Sequence, residues 1–145
     1  LILDTEDTGI VRRDKLNEEG IRIAASLASR MVKERMEVTV TGNGMKRIHL
    51  KEGAGRIQKL YEELARIDIY KQTERICEEL GREKEKLLPD VIYVIVSMNQ
   101  DKETADAVAS LAETGNPVLW VIPVMSAAEH AVLSEVPVFR WEMEG

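Results

Sequence analysis

The chain has 145 residues, of which 44% are hydrophobic and 32% charged, and its formal net charge is −6. This length predicts one domain with a substantial core, and no apolar run approaches the roughly 18 residues that a membrane-spanning helix needs. The acidic balance argues against a nucleic-acid-binding surface, which requires clustered Lys and Arg. The single cysteine, Cys77, excludes an internal disulfide and a zinc site built on several cysteines. We therefore expect a soluble globular protein.

The first third of the chain alternates between strand and helix patterns. Residues 1–5, "LILDT", predict a short buried strand. From Asp14, a predicted N-cap, residues 14–36 place apolar and small side chains three and four positions apart, which predicts a long helix with a small-residue face. Residues 37–41, "EVTVT", alternate as a strand does, and residues 46–50, "KRIHL", predict a polar edge strand.

The middle of the chain predicts two helices and the clearest strand. Residues 56–70 carry one apolar face and predict a helix, and residues 71–89 predict a second, highly charged helix that Gly81 interrupts. Residues 91–96, "VIYVIV", are all apolar and rich in β-branched side chains, which is typical of a parallel strand covered on both faces. Residues 101–115 then predict another helix.

The last third completes a pattern of alternating strands and helices. Residues 117–124 predict a buried strand, residues 126–135 a short helix and residues 136–143 a final strand. This order predicts an α/β fold, a Rossmann-like three-layer sandwich with a mostly parallel central sheet. In such a fold, ligands bind beyond the carboxyl ends of the strands, so the loops after them are the places to search for chemistry.

The loop after the first strand, "DTEDTG", is the only one of these loops that is rich in acids. It resembles the first motif of haloacid-dehalogenase-like phosphatases, D-x-D-x-T. That resemblance implies Asp4 as the nucleophile and Glu6 in the position of the general acid, with Thr8 in place and Ser97 in the second motif. A small magnesium-dependent phosphatase that uses Asp4 is therefore the alternative function. The later acidic motif of that family is missing, because "PVLWVIPVMS" ends in no carboxylate.

The same loop also resembles D-x-S-x-S, the metal-ion-dependent adhesion motif of von Willebrand factor A domains. The ordered combination of "LDT", "IRIAASLAS", "ELARID" and "VIVS…VLWVIPV" is similar to the C-terminal von Willebrand A-like region of the bacterial family called domain of unknown function 58. The resemblance implies a non-enzymatic protein-interaction domain. It also implies a membrane-anchored parent protein, a position on the cytoplasmic side of the membrane, and a MoxR-type AAA+ ATPase as partner in the assembly or maturation of other proteins. Since residue 1 lies inside a strand pattern without an initiator Met, we expect residues 1–145 to be one domain of a longer polypeptide.

The resemblance implies a degenerate form of the family's metal site. The oxygen donors that remain at matching positions are Asp4, Glu6, Thr8, Ser97 and Asn99. The second loop, "EGAG", offers no hydroxyl, and no Asp follows the "VIYVIV" strand directly, since Asp101 more naturally caps the next helix. We expect no cofactor; if a cation binds, it is Mg²⁺ on Asp4 and Thr8. The other interpretation is that Asp4 and Asp7 brace the loop into the first helix.

The remaining His, Trp and Met side chains offer no further candidate for catalysis or metal binding. His49 and His130 have no partner at metal-ligand spacing, so we expect them to be solvated or packed. Trp120 is expected in the core, and Trp141 is expected either to cover the sheet edge or to contact a segment outside these residues. Met98 and Met125 follow two strands and predict an adaptable surface for a protein partner.

Overall fold

The structure is a computed structural model that describes residues 1–9, 11–51, 55–126 and 134–143. The short helix predicted at 126–135, with His130, lies almost entirely outside the described residues, as does most of the "EGAG" loop. The described elements, in chain order, are β1 Ile2–Leu3, α1 Asp14–Lys33, β2 Val38–Gly42, β3 Met45–Leu50, α2 Gly55–Ala65, α3 Ile76–Glu85, β4 Tyr93–Val96, α4 Lys102–Ala112, β5 Val118–Val124 and β6 Val138–Glu142.

One six-stranded sheet, with strand order β3-β2-β1-β4-β5-β6, forms the centre of the fold. The β2–β3 pair is antiparallel and every other pairing is parallel. This arrangement confirms the predicted Rossmann-like α/β fold and the edge position of β3. Because β1 lies between β2 and β4, with Leu3 opposite Gly42 and Val96, the loops that leave these three strands meet at one edge of the sheet. We call it the carboxyl edge, and the opposite one the amino edge.

Strict alternation along the central strands supplies both faces of the sheet with core side chains. Leu3, Val94 and Val96 point toward α1 and α2, where the small residues of α1 allow close packing. Ile2 and Ile95 point toward the opposite face, which α3 and α4 cover and which also contains the fully buried Trp120, as predicted. Helices therefore lie on both faces, and the sandwich has three layers. No helix in the described part of the chain has the length and apolarity required to cross a membrane.

The structure corrects three details of the predicted helices. Arg13, not Asp14, is the N-cap of α1, and it makes no side-chain capping hydrogen bond. Residues 66–75 connect α2 to α3 instead of extending both helices. Gly81 does not interrupt its helix, because α3 continues through it and a Cβ at that position would contact nothing within 4 Å.

Gly42 and Gly81 form a matched pair for a stability test. A Cβ on Gly42 would lie 2.2 Å from the Leu3 carbonyl oxygen, which is backbone of the adjacent strand. We expect Gly42→Ala to lower the free energy of unfolding by about 1–3 kcal/mol, because β1 and β2 must separate to admit the methyl group. Gly81→Ala should raise it by about 0.5–1 kcal/mol, since alanine favours a helix interior. Urea unfolding of both variants checks the prediction, and equal effects would contradict it.

Candidate functional site

Four segments converge at the carboxyl edge. They are the loop after β1, the β2–β3 turn, the 66–75 connection and the loop after β4. The structure brings together all five predicted site residues: Asp4, Glu6, Thr8, Ser97 and Asn99. The strand order explains why, because residues after β1 and β4 are far apart in sequence but leave adjacent parallel strands.

Asp4 is the centre of this network and is only 4% exposed. Its Oδ1 accepts hydrogen bonds from the Glu6 backbone N–H at 3.0 Å and the Asn43 Nδ2 at 2.8 Å. Its Oδ2 accepts from the Ser97 hydroxyl at 2.7 Å and the Asn99 Nδ2 at 2.8 Å. Each carboxylate oxygen therefore receives two donors, which fills the roughly four acceptor positions of the group.

Asn99 joins the β4 loop to the β1 loop and is 1% exposed. Its Nδ2 also donates to the Glu6 carbonyl at 2.6 Å. Its Oδ1 accepts from the Thr8 hydroxyl at 2.8 Å, the Thr8 N–H at 3.2 Å and the Arg13 guanidinium at 3.2 Å. Thr8 thus binds the side-chain oxygen of Asn99, while Asp4 binds its NH₂ group.

Asn43, which is not among the predicted site residues, closes the network from the β2–β3 turn. Its Nδ2 donates to Asp4 and, at 3.0 Å, to the Glu74 carbonyl, and its Oδ1 accepts from the Thr5 N–H at 2.9 Å. A signal was present, because "TGNG" directly follows a strand pattern. Its relevance depends on β2 being the neighbour of β1, which the sequence pattern does not state.

This donor arrangement does not fit the predicted Mg²⁺ ligands. Asn43 and Asn99 present their NH₂ groups, not their oxygens, to Asp4, and the backbone partners of both amides fix that orientation. A divalent cation at Asp4 would meet N–H donors where it requires oxygen ligands. Among the residues that the structure describes, no group of three or more His, Cys, Asp or Glu side chains is placed to hold a metal ion.

Glu6 turns away from Asp4 and pairs with Arg75 in the 66–75 connection. The Arg75 Nε lies 3.1 Å from a Glu6 carboxylate oxygen, and the guanidinium also contacts Asp101 at 3.5 Å and Glu103 at 3.0 Å. Burial raises the pKa of Glu6 above its usual value, although the charge of Arg75 opposes this. The sequence pattern does not single out Arg75, because it predicts that residues 71–89 form one helix.

Asp7 and Asp101 brace the two helix entrances next to the site. Asp7 accepts hydrogen bonds from the Gly9 N–H at 2.9 Å and from the Arg13 N–H, and it pairs with the Arg13 guanidinium at 3.3 Å. Asp101 caps α4, as predicted, through the Thr104 N–H at 2.9 Å. Its Oδ2 also lies 3.2 Å from the Thr8 hydroxyl, as the alternative acceptor to Asn99 for the single hydroxyl proton, so Asp101 belongs to the site after all.

The pH dependence of the free energy of unfolding in acid should depend on Asp7. Burial alone would raise its pKa, but the backbone hydrogen bonds from Arg13 and Gly9 and the Arg13 charge outweigh burial and lower it. A lowered carboxyl pKa stabilises the folded state above the unfolded value of about 3.9, and this stabilisation is lost as the pH falls through the folded value. Asp7→Asn should therefore cost about 1–2 kcal/mol at pH 7 and less at pH 3. Urea unfolding between these pH values measures the difference, and a pH-independent difference would contradict the assignment.

The surface around the network is apolar in part, but Met98 does not belong to it. Met98 is 3% exposed, so its predicted role in an adaptable surface is wrong; it follows β4 with its side chain turned inward. Met125, after β5, is 49% exposed, and Val11 and Tyr70 are 76% and 68% exposed. The Arg12 guanidinium lies 4.7 Å above the Tyr70 ring, which joins the β1 loop to the 66–75 connection.

His49 is half-exposed and hydrogen-bonded, within the solvated or packed role that its pattern predicts, and Trp141 lies at a sheet edge. The His49 ring lies 2.7 Å from the Thr39 hydroxyl and 2.6 Å from a Glu37 carboxylate oxygen, away from the carboxyl edge. Trp141 lies on the edge strand β6 and packs against the core on the α1 side. Cys77 is a free, partly buried thiol in α3.

Comparisons of the chain with protein-family models, with curated proteins and with solved structures found no match.

Proposed function

We propose that this chain is a non-enzymatic protein-interaction domain that binds a partner at the carboxyl edge, around a degenerate metal-ion-dependent adhesion site. The observation that carries the proposal is the saturated Asp4 carboxylate, whose two oxygens accept four hydrogen bonds from three segments. A buried carboxylate in this state is a poor nucleophile and a poor cation ligand, because every lone pair already has a donor. What it does well is hold three loops in one fixed arrangement.

A fixed set of loops is useful as a binding surface because little conformational entropy is lost when a partner docks. Val11, Tyr70 and Met125 supply exposed apolar area on segments at this edge. Aromatic and methionine side chains are enriched where proteins bind each other. The charged rim contains both signs, with Arg75 paired to Glu6 and Glu103, so the surface favours a protein partner over a polyanion.

The resemblance to the domain of unknown function 58 family makes a MoxR-type AAA+ ATPase the partner to test first. In this proposal the chain is one part of a membrane-anchored protein and acts on the cytoplasmic side, where the ATPase uses the complex to assemble or mature other proteins. Sequence resemblance alone supports these statements about partner and location.

A binding assay with three variants tests the proposal. We expect the purified ATPase, loaded with nucleotide, to bind the chain. Val11→Ser and Tyr70→Ser should each weaken this binding at least about tenfold, because each removes apolar contact area. Leu87→Asn is the matched control, since Leu87 is equally exposed at 76% but lies in the connection between α3 and β4, before β4 begins. Isothermal titration calorimetry measures the dissociation constants. If the control weakens binding as much as the other two variants, the proposed surface is wrong. If the ATPase does not bind the chain at all, the proposed partner is wrong.

The phosphatase alternative is tested separately. The interaction proposal predicts no hydrolysis of a generic aryl phosphate above background in the presence of Mg²⁺. Hydrolysis that Asp4→Asn abolishes, in a variant still folded by circular dichroism, would show that Asp4 is a nucleophile and that the interaction proposal is wrong.

A further inference from the structure

The edge strand β6 presents backbone hydrogen-bonding groups on its outer side. Among the described strands it pairs only with β5, in parallel, and the Met143 N–H donates to the Val124 carbonyl at 2.9 Å. Alternate residues of a strand in a parallel ladder bond to the same neighbour, so the odd-numbered residues of β6 bond to β5. The N–H and C=O groups of Arg140 and Glu142 therefore point away from β5, toward the side on which the described chain has no further strand.

The side chains of β6 alternate between an apolar face and a charged face. Trp141 packs against the core on the α1 side, and the Phe139 ring meets it edge to face with the ring centroids 6.2 Å apart. Met143 continues the same face by alternation. Phe139 is 55% exposed, so much of this apolar face remains in contact with solvent. Arg140 and Glu142 lie on the opposite face of the strand.

The order of these side chains is complementary to itself when the strand is reversed. Residues 139–143, "FRWEM", read apolar, basic, aromatic, acidic and apolar about Trp141. If a second copy of β6 pairs antiparallel with Trp141 opposite Trp141, then Phe139 lies opposite Met143 and Arg140 lies opposite Glu142, each pair occurring twice. Arg140 also interacts within its own chain, and a guanidinium has further N–H donors for the second copy's carboxylate.

The backbone and the charges together select this register. The outward N–H and C=O groups of Arg140 and Glu142 become the hydrogen-bonded pairs of the antiparallel ladder, and each such pair exchanges both bonds. A shift of one residue would set these groups opposite residues whose backbone already bonds to β5. A shift of two residues would set Arg140 opposite Arg140 or Glu142 opposite Glu142, and like charges directly opposite each other are destabilising.

The edge strand at the other side of the sheet, β3, lacks this complementarity. Its outer half carries the basic side chains Lys46 and Arg47, and its pairing with β2 has a register shift between Val40 and Gly42. Basic side chains and irregular pairing are the features that protect edge strands against pairing with other chains. β6 contains no Lys or Pro and pairs with β5 without a register shift, so it is the edge suited to a second copy.

We propose that β6 is a dimerisation surface, on which two copies of this chain join antiparallel about a two-fold axis between their Trp141 residues. The two sheets then form one continuous sheet, and the exposed rings of Phe139 are covered at the joint. Because the two β6 strands run antiparallel, the carboxyl edges of the two copies face in opposite directions. The dimer therefore forms whether or not a partner binds at the carboxyl edge.

Charge reversal on β6 tests this proposal by analytical ultracentrifugation of the chain. We expect a dimer of the wild-type chain whose fraction rises with concentration. Arg140→Glu places an acidic side chain opposite Glu142, and Glu142→Arg places a basic one opposite Arg140, so each variant alone should dimerise at least about tenfold more weakly. An equimolar mixture of the two variants restores both opposite-charge pairs and should form a heterodimer about as tightly as the wild type does.

Two further variants are controls. The double variant Arg140→Glu with Glu142→Arg keeps the charges complementary, so it should dimerise like the wild type. Lys46→Glu changes an exposed charge on β3 and should leave the dimer unaffected. In the wild type, hydrogen exchange of the Arg140 and Glu142 amides should slow as the concentration rises, since both become hydrogen-bonded in the dimer.

Three results would overturn the proposal. The first is a wild-type chain that stays monomeric up to about 1 mM, which is weaker than a specific dimer. The second is a dimer that persists equally in both single variants. The third is a mixture of the single variants that is no more dimeric than either alone, although circular dichroism shows both to be folded.

Discussion

Asp4→Asn is expected to lower the free energy of unfolding by about 3–5 kcal/mol, although it changes the size of the side chain very little. The wild-type carboxylate accepts four hydrogen bonds from Glu6, Asn43, Ser97 and Asn99 in a site that is 4% exposed. The substitution turns one oxygen into an NH₂ group that faces two donors. Buried donors without acceptors lose their full hydration free energy, which is the reason for the large effect.

Asp106→Asn is the matched control for this substitution, because Asp106 is exposed on α4. We expect its effect on the free energy of unfolding to stay within about 0.5 kcal/mol. Urea unfolding at pH 7 measures both variants. A loss of less than about 1 kcal/mol for Asp4→Asn would mean that the four hydrogen bonds do not stabilise the loops as argued.

Asn99→Asp is expected to be the second most damaging change, and its cost should depend on pH. The new carboxyl group replaces an NH₂ group that donates to Asp4 at 2.8 Å, so two carboxyl groups meet in a buried site. Such a pair shares a proton, and its raised folded pKa makes the folded state bind more protons than the unfolded state. Stability must then fall as the pH rises above about 4, and we expect a loss of about 3–4 kcal/mol at pH 7.

The same variant tests the explanation of why the site does not suit a cation. With an oxygen where the NH₂ group was, the carboxylates at positions 4 and 99 and the hydroxyls of Thr8 and Ser97 all become available as hard oxygen ligands. Millimolar Mg²⁺ should raise the melting temperature of Asn99→Asp by several degrees and leave the wild-type chain unchanged. A Mg²⁺ shift in the wild-type chain that Thr8→Val removes would instead mean that the native site binds the metal.

Asn116→Asp is the control for both effects. Asn116 lies between α4 and β5, where its amide donates to the Leu88 carbonyl at 2.6 Å. The substitution removes this part-buried hydrogen bond and the longer one to the Thr114 hydroxyl at 3.4 Å, and we expect a loss of about 1 kcal/mol. Because that site lacks the second carboxyl group of the Asp4 pair, neither the steep pH dependence nor the Mg²⁺ stabilisation should occur there.

The sequence patterns predicted helices and strands correctly where runs of apolar residues determine them. The six-residue run ending at Val96 and the run ending at Val124 predicted buried parallel strands, and both lie in the interior of the sheet. Periodicity failed between residues 66 and 75, where the chain leaves α2 and crosses the carboxyl edge before α3. That stretch is stabilised by tertiary contacts such as the Arg12 bond to the Ile69 carbonyl, which leave no trace in the local pattern.

The sequence predicted only part of the candidate site, because tertiary contacts decide the rest. Asp4, Ser97 and Asn99 were recognisable because each follows a clear strand. Asn43 and Arg75 were not, since their importance arises from which strand lies beside β1 and from a connection that looked helical. The surface position that the sequence predicts for Met98 is wrong, because an apolar side chain after a strand can point either way and the packing of the fold buries this one.

The sequence by itself determined the α/β class, the alternation of strands and helices, and the position of Asp4 at the end of the first strand. These features depend on local apolar periodicity, which any segment carries within itself. Only the tertiary structure decided what Asp4 does there. The direction of the Asn43 and Asn99 amides, and hence whether Asp4 faces donors or a cation, depends on backbone partners that are distant in sequence and meet only in the folded chain.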